Sequence, residues 1–293
     1  MSSLVLGTAQ LGMPYGVANK IGKPNERAAI EIIRAAWEGG IREFDTAQEY
    51  GSSEEVLGRA FRVLEIGGKV RVISKLAKDI DLEDGKAVIS AVKISIARLG
   101  VPKLHALLLH KEELLDVWKK KIVGSSLHEF VQYLGVSVYS PKRALQALAM
   151  DGIDIVQIPV NILDRRFEKA GVFTKAQESG KVIYVRSVFL QGLLLMKPDS
   201  MPQHMIFARP VLQQVGALAA ELGLSRLELA LGYIIKAFPS AKIVVGAETV
   251  VQIREIIMAM HREFPADIVE RTQKAFMDVH HNILDPRLWP KIN

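Results

Sequence analysis

Four residues of this chain have the chemistry of proton transfer: Asp45, Tyr50, Lys75 and His110. Asp45 and Tyr50 share one short segment, Asp45-Thr46-Ala47-Gln48-Glu49-Tyr50-Gly51, and Lys75 and His110 close later apolar runs. A free tyrosine phenol has a pKa near about 10, so it donates a proton readily but is regenerated slowly at neutral pH. Lowering that pKa by roughly two to three units requires about 3–4 kcal/mol. A lysine ammonium about 4 Å away supplies about that much at an effective dielectric near 20. Lys75 is placed for this role, and Asp45 would keep it charged where burial alone would neutralise it. His110 would donate a hydrogen bond to a substrate oxygen. Together the set describes a proton donor to a carbonyl oxygen that is gaining charge. Taken singly, each residue also has a structural reading: Asp45 and Lys75 as an internal ion pair, His110 as a satisfied histidine at a strand end.

The elements that must position these residues are short apolar runs alternating with amphipathic segments. The runs are Leu4–Ala9, Arg42–Ala47, Val70–Leu76, Ala106–His110, Leu134–Tyr139, Ile155–Val160, Val182–Val188 and Lys242–Ala247. Several are nearly continuously apolar, as strands buried on both faces of a parallel sheet must be. Between them the spacing predicts helices over Glu26–Glu38, Ser53–Leu64 (with Ser53 as cap), Asp84–Leu99, Glu112–Tyr133 (interrupted near Gly124), Pro141–Met150 and Arg165–Ser179. Further helices are predicted over Arg209–Leu222, Ser225–Phe238 and Thr249–Met260. Eight strands, each followed by a helix, predict one α/β domain over residues 1–293, a closed (β/α)8 TIM barrel. The competing doubly wound sheet lacks its Gly-x-Gly-x-x-Gly turn after the first strand. Two segments exceed the plain repeat: the loop Leu190–Ala208 after strand seven, and a C-terminal helical tail after Met260, with a helix over Pro265–His280. Loops of this length are usually functional, and both are candidates to lie over the catalytic end. Barrel chemistry sits at the C-terminal strand ends, which here also carry Ser137, Gln157, Asn161, Arg186 and Ser187.

The pattern Asp45-x-Ala-x-x-Tyr50-Gly51, followed by Lys75 and His110 at successive strand ends, resembles the aldo-keto reductase family, from Gly7-Thr-Ala to Gly246. The resemblance implies an NAD(P)H-dependent oxidoreductase that reduces an aldehyde or ketone, including a sugar-like one, to an alcohol without a metal. Tyr50 would be the general acid, tuned by Lys75 and Asp45, and His110 would orient the carbonyl. It further implies that Ser137 and Gln157 contact the nicotinamide amide, that Gly192-Leu-Leu runs under the pyrophosphate, and that Gly246, Gln252 and Glu255 face the adenosine, with Arg186 and Ser187 also at the cofactor. Departures accompany it. Val138 and Ile256 stand where the family has Asn. Arg186 stands where many members stack a Tyr, and would itself stack or bind an anionic substrate or a phosphate. Gln252 replaces the basic residue used for a 2′-phosphate, Glu248 would repel that phosphate, and Arg254 would compensate only if it pointed the same way. NADPH is the cofactor the family implies, with NADH as the alternative. These departures also motivate a second reading, a nicotinamide-binding regulatory or auxiliary barrel with little turnover.

Composition excludes other chemistries. The 293 residues include no cysteine, so thiolate nucleophiles, disulfides and Cys-ligated metals are absent. His280-His281 have no carboxylate at ligand spacing, so packing or surface roles are expected of them. Hydrophobic residues make up 49% and charged residues 24%, which suits a folded globular chain. No apolar run reaches the roughly 18 residues of a membrane span. The first residues lack the basic and long apolar regions of a secretory signal. A cytoplasmic protein is expected, acting on a small-molecule carbonyl, with no membrane or nucleic-acid partner. The net charge of +6 is scattered, and its longest run, Lys119-Lys120-Lys121, reads as a solvated helix face. Arg165 and Arg166 near the predicted mouth hint, with Arg186, at an anionic or sugar-like substrate. Tyr15, Arg287 and Trp289 each have a substrate-contact and a packing reading.

Overall fold

The computed structural model describes residues 3–19, 21–118 and 127–290. Eight parallel strands close into a barrel in sequence order: β1 (Ser3–Gly7), β2 (Glu43–Asp45), β3 (Arg71–Leu76), β4 (Leu104–Leu109), β5 (Val131–Ser137), β6 (Ile155–Pro159), β7 (Val182–Arg186) and β8 (Lys242–Gly246). β8 returns to β1 with Gly7 opposite Gly246, so no sheet edge remains. The predicted (β/α)8 barrel is therefore the observed architecture.

Two apolar cores follow from this closure. The smaller is made only of strand residues, among them Val5, Ile73, Leu108, Ile155, Tyr184 and Val244, and fills the barrel. The larger lies between the strands and the surrounding helices, from Leu6 and Phe44 outward to Ile33, Phe61 and Leu229. Local chemistry sets the helix ends. Asn25 accepts from Ala28 N–H at 2.9 Å before helix Glu26–Glu38. Ser225 and Glu228 form a reciprocal capping box on helix Arg226–Ala237.

Several predicted boundaries are corrected. The segment Arg165–Ser179 is two helices, Arg166–Lys169 and Val172–Glu178, because Gly171 between them adopts φ +73°, which breaks the right-handed run. Val131–Tyr133 belong to β5 rather than to a preceding helix, since Leu104 N–H donates to Phe130 O and Val131 pairs with Leu104. Of that predicted helix, Leu114–Trp118 is helical, and the Lys119–Lys121 run and Gly124 lie outside the described residues. The tail helix spans Ile268–Ala275. Ser53 is the first helical residue and not a cap: its hydroxyl donates to Thr8 O at 3.0 Å and accepts from Thr46 Oγ1 at 2.9 Å. It thereby ties helix Ser53–Val63 to the ends of β1 and β2.

A buried carboxylate closes the N-terminal end of the barrel. Glu43, 3% exposed, accepts from Tyr184 Oη at 2.8 Å, Lys242 Nζ at 3.0 Å and Arg71 Nη2 at 3.0 Å. Burial disfavours its charge, but the bonds from Tyr184 and Lys242 and the charges of Lys242 and Arg71 outweigh that and hold its pKa below the usual range. A carboxyl lowered in the native state stabilises above its unfolded pKa and loses that contribution as pH falls through the native value. Glu43→Gln is accordingly expected to cost on the order of 2 kcal/mol at neutral pH, because both cations are partly solvated. In denaturant titrations the gap between variant and wild type should close as pH drops through the native carboxyl's pKa. A gap independent of pH would show that charge is not what Glu43 contributes.

Candidate active site

Above the apolar filling of the barrel, the C-terminal strand ends carry a polar layer. β2 delivers Asp45, whose carbonyl is held by Thr8 N–H and Thr8 Oγ1, each at 2.9 Å. The chain then leaves β2 in a tight loop that returns Tyr50 to the mouth. Gln48 anchors the loop, accepting from Ala77 N–H at 2.8 Å and donating to Ser95 Oγ at 3.0 Å. On the other side Ser52 N–H donates to Gly12 O. The backbones meet so closely there that a Cβ on Gly12 would lie 1.8 Å from Tyr50 O. Gly12 thus sets the position of Tyr50, and nothing in its local sequence signals this.

Lys75, 1% exposed, places Nζ 2.5 Å from Asp45 Oδ1 and 2.9 Å from Thr46 O. Burial pushes its pKa down, while the charge and hydrogen bond of Asp45 push it back up. The second Asp45 oxygen accepts from Gln157 Nε2 at 2.7 Å. Lys75 Nζ lies 4.9 Å from the centre of the Tyr50 ring. His110, directly after β4, meets the Tyr50 ring edge-on, with centroids 5.6 Å apart and planes at 81°. The four residues predicted from sequence are therefore brought together.

The expected electrostatics of Tyr50 is corrected. Its phenol is held above the usual tyrosine range, first by burial and then by the Asp45 carboxylate, with Arg186 as the leading opposing charge. The net shift is therefore upward, the reverse of the lowering expected from Lys75. Tyr50 therefore stays protonated at neutral pH, as a proton donor must. Tyr15, at the same mouth, is pushed up to about 12, chiefly by burial.

His110 Nδ1 lies 3.0 Å from Glu49 Oε2, within ion-pair range but off the line of a hydrogen bond. Burial and the Lys75 charge, opposed by Asp45, lower its pKa to about 4. The imidazole is then neutral near pH 7 and retains one N–H to donate. In an NMR titration the His110 ring signals should not move between about pH 6 and 8 and should shift only as pH approaches 4. A midpoint near the free-histidine value would contradict this environment.

Beside Tyr50 a groove with a cavity volume of about 500 Å³ runs along the ends of β1, β7 and β8. Six of the predicted cofactor residues line it: Arg186, Ser187, Gly192, Gly246, Gln252 and Glu255. The other two, Ser137 and Gln157, are buried next to it. Arg186 Nε donates to Ser137 Oγ at 3.3 Å, and Gln157 Oε1 is a buried acceptor with no partner among the described residues. That orphaned oxygen fits a carboxamide N–H2. At Gly246 the Gln10 side chain packs against the bare backbone, with Nε2 1.8 Å from where a Cβ would stand. The segment after β7 also lines the groove, and within it Ser187, Leu190 and Gln191 have φ of +60°, +48° and +54°, strained values for residues with a Cβ. These residues and donors fit a nicotinamide dinucleotide.

Arg186 and Arg287 sit over the ring of Tyr139, at 4.2 and 4.0 Å from its centre, which brings the C-terminal tail to the mouth. Arg186 Nη2 donates to Val138 O at 3.3 Å, so position 138 contributes through its backbone. Among the described residues Arg186 has no carboxylate partner, whereas Arg165, Arg166 and Arg287 are paired with Glu168, Asp164 and Asp285. Trp289 donates to Ile283 O at 3.2 Å, which supports its packing reading, and His280 Nδ1 accepts from Asn282 N–H. Ile256 is buried. Sequence reasoning missed Gln10, Gly12, Tyr139, Gln191 and Lys197, which lack a motif and join the site only through folding. Among the described residues no helix is long and apolar enough to cross a membrane.

Comparison with known proteins agrees with this geometry. Residues 3–276 match the profile of the aldo/keto reductase family. The L-glyceraldehyde 3-phosphate reductase of Escherichia coli is 24% identical, over 89% of this chain and 86% of its own. The aldo-keto reductase YhdN of Bacillus subtilis is 26% identical over 67% of this chain and 61% of its own. The holo form of aldo-keto reductase AKR11C1 from Bacillus halodurans superimposes with a TM-score of 0.73 at 21% identity, covering 97% of this chain and 95% of that one.

Proposed function

Because the chain belongs to the aldo/keto reductase family and is thereby an NAD(P)H-dependent oxidoreductase of carbonyl compounds, we propose that Tyr50 is its general acid and that Lys75, Asp45 and His110 complete the reacting site. The carrying observation is the Tyr50 phenol at the groove's edge, against His110 and within 4.9 Å of Lys75.

A reduced nicotinamide, when bound, would supply the hydride for the carbonyl carbon. The residues do the rest. His110 donates its N–H to the carbonyl oxygen and orients it. Tyr50 transfers its phenolic proton to that oxygen as negative charge develops there. The resulting phenolate sits near the charges of Arg186 and Lys75 and recovers its proton from solvent at the mouth. Asp45 keeps the Lys75 ammonium aimed. Gln157 Oε1 and Ser137 would hold the nicotinamide amide, and Arg186, with one face on Tyr139, would provide the flat surface for the ring. Gly192 and its loop, with Gly246, Gln252 and Glu255, would hold the rest of the dinucleotide. The unpaired guanidinium of Arg186 also suits a substrate bearing negative charge or many hydroxyls.

Purified protein given reduced nicotinamide and a panel of aldehydes and ketones is expected to lose the reduced-cofactor absorbance only when a carbonyl is present. Tight nicotinamide binding with no turnover across the panel would instead favour the auxiliary-protein reading.

A further inference from the structure

Resting on the cofactor reading above, we propose that Glu248 makes the β8 side of the groove select a nicotinamide dinucleotide whose adenosine ribose has free hydroxyls over one that carries a 2′-phosphate. This is the reverse of the cofactor that the family resemblance implies.

Glu248 lines the groove in the turn between β8 and the helix Val250–Met260, together with Gln252, Glu255 and Ile256. The turn is held rigidly. Gln252 Oε1 accepts from Glu248 N–H at 2.7 Å, and Thr249 Oγ1 accepts from Gln252 N–H at 3.2 Å. Two donors that this helix start would offer a phosphate are thus already taken. The Glu248 carboxylate has neither ion pair nor hydrogen bond among the described residues, and its partial burial favours any donor that reaches it. A ribose 2′,3′-diol offers two such donors. A 2′-phosphate brings like charge toward both Glu248 and Glu255.

The cations of the groove lie elsewhere. Arg186 acts on Tyr50, and Lys197 comes from the loop after β7, a separate segment from the one that carries Glu248. Arg254 is exposed and does not line the groove, so the compensation considered from sequence is absent. Lys197 is thus assigned to the pyrophosphate, a group both dinucleotides share.

The test is direct binding, by quenching of tryptophan fluorescence or by calorimetry, of NADH and NADPH to the full-length protein at one ionic strength. NADH is expected to bind at least about tenfold more tightly. Glu248→Gln should improve NADPH affinity and weaken NADH, whose ribose diol loses a charged acceptor, and Glu248→Arg should invert the preference. Lys197→Met should weaken both nucleotides by the same factor. Equal or tighter NADPH binding by the wild type, NADPH affinity unchanged in Glu248→Gln, or a Lys197→Met loss confined to NADPH would each overturn the proposal. Binding of neither nucleotide would overturn the cofactor reading itself, and this inference with it.

Discussion

Tyr50→Phe is expected to lower kcat for carbonyl reduction by about two to four orders of magnitude, the range that removal of a positioned general acid costs. The substitution deletes one hydroxyl and keeps the ring. The edge-on contact with His110 and the proximity of Lys75 are made by that ring, so both should survive. Among the described residues nothing hydrogen-bonds the phenol oxygen, so its removal leaves no buried partner unsatisfied. Nicotinamide affinity, read by fluorescence, and the unfolding midpoint should therefore stay close to wild type. A drop confined to kcat would identify an interaction made in the transition state. Full activity in Tyr50→Phe would remove Tyr50 from its role.

Lys75→Met should have the largest effect on stability. Lys75 and Asp45 are 1% and 4% exposed, and Lys75 is the one cation bonded to the Asp45 carboxylate among the described residues. Removing the ammonium leaves a buried carboxylate with a single bond from Gln157, which costs about 3–5 kcal/mol. Denaturant unfolding measures this directly. Adding Asp45→Asn should restore a large part of the lost stability, since the uncompensated charge goes with it. It should not restore turnover, because the charged pair beneath Tyr50 is still missing. If Lys75→Met proved nearly as stable as wild type, the ionised pair described here would be contradicted.

The barrel was legible because parallel strands buried on both faces leave continuous apolar runs, which residues 106–109 and 243–247 display plainly. The reacting residues were legible for the complementary reason: an apolar strand does not end in Asp, Lys or His without a use for it. What stayed hidden depends on contacts remote in sequence. The break at Gly171 looks like any glycine within a helical pattern until its φ is known. Val131–Tyr133 follow a segment of helical period, and only pairing with β4 makes them strand. Arg287 was a candidate for the mouth, but nothing in the tail named Tyr139 as the ring it would meet. The electrostatics of Tyr50 was misjudged because the Asp45 charge, counted only as an aid to Lys75, also acts on the phenol, and burial acts more strongly still. Gly12 was missed because its importance is a backbone approach between two loops.

The central claim is that this chain moves hydride from a nicotinamide in the groove onto a carbonyl carbon beside Tyr50. It is tested most directly by turnover with nicotinamide deuterated at the transferable position, followed by mass and NMR analysis of the product alcohol. One deuterium on the carbinol carbon, obtained with the wild type and reduced in rate together with kcat in Tyr50→Phe, is the predicted result. An alcohol without deuterium, or no alcohol from any carbonyl although the labelled cofactor binds, would contradict it.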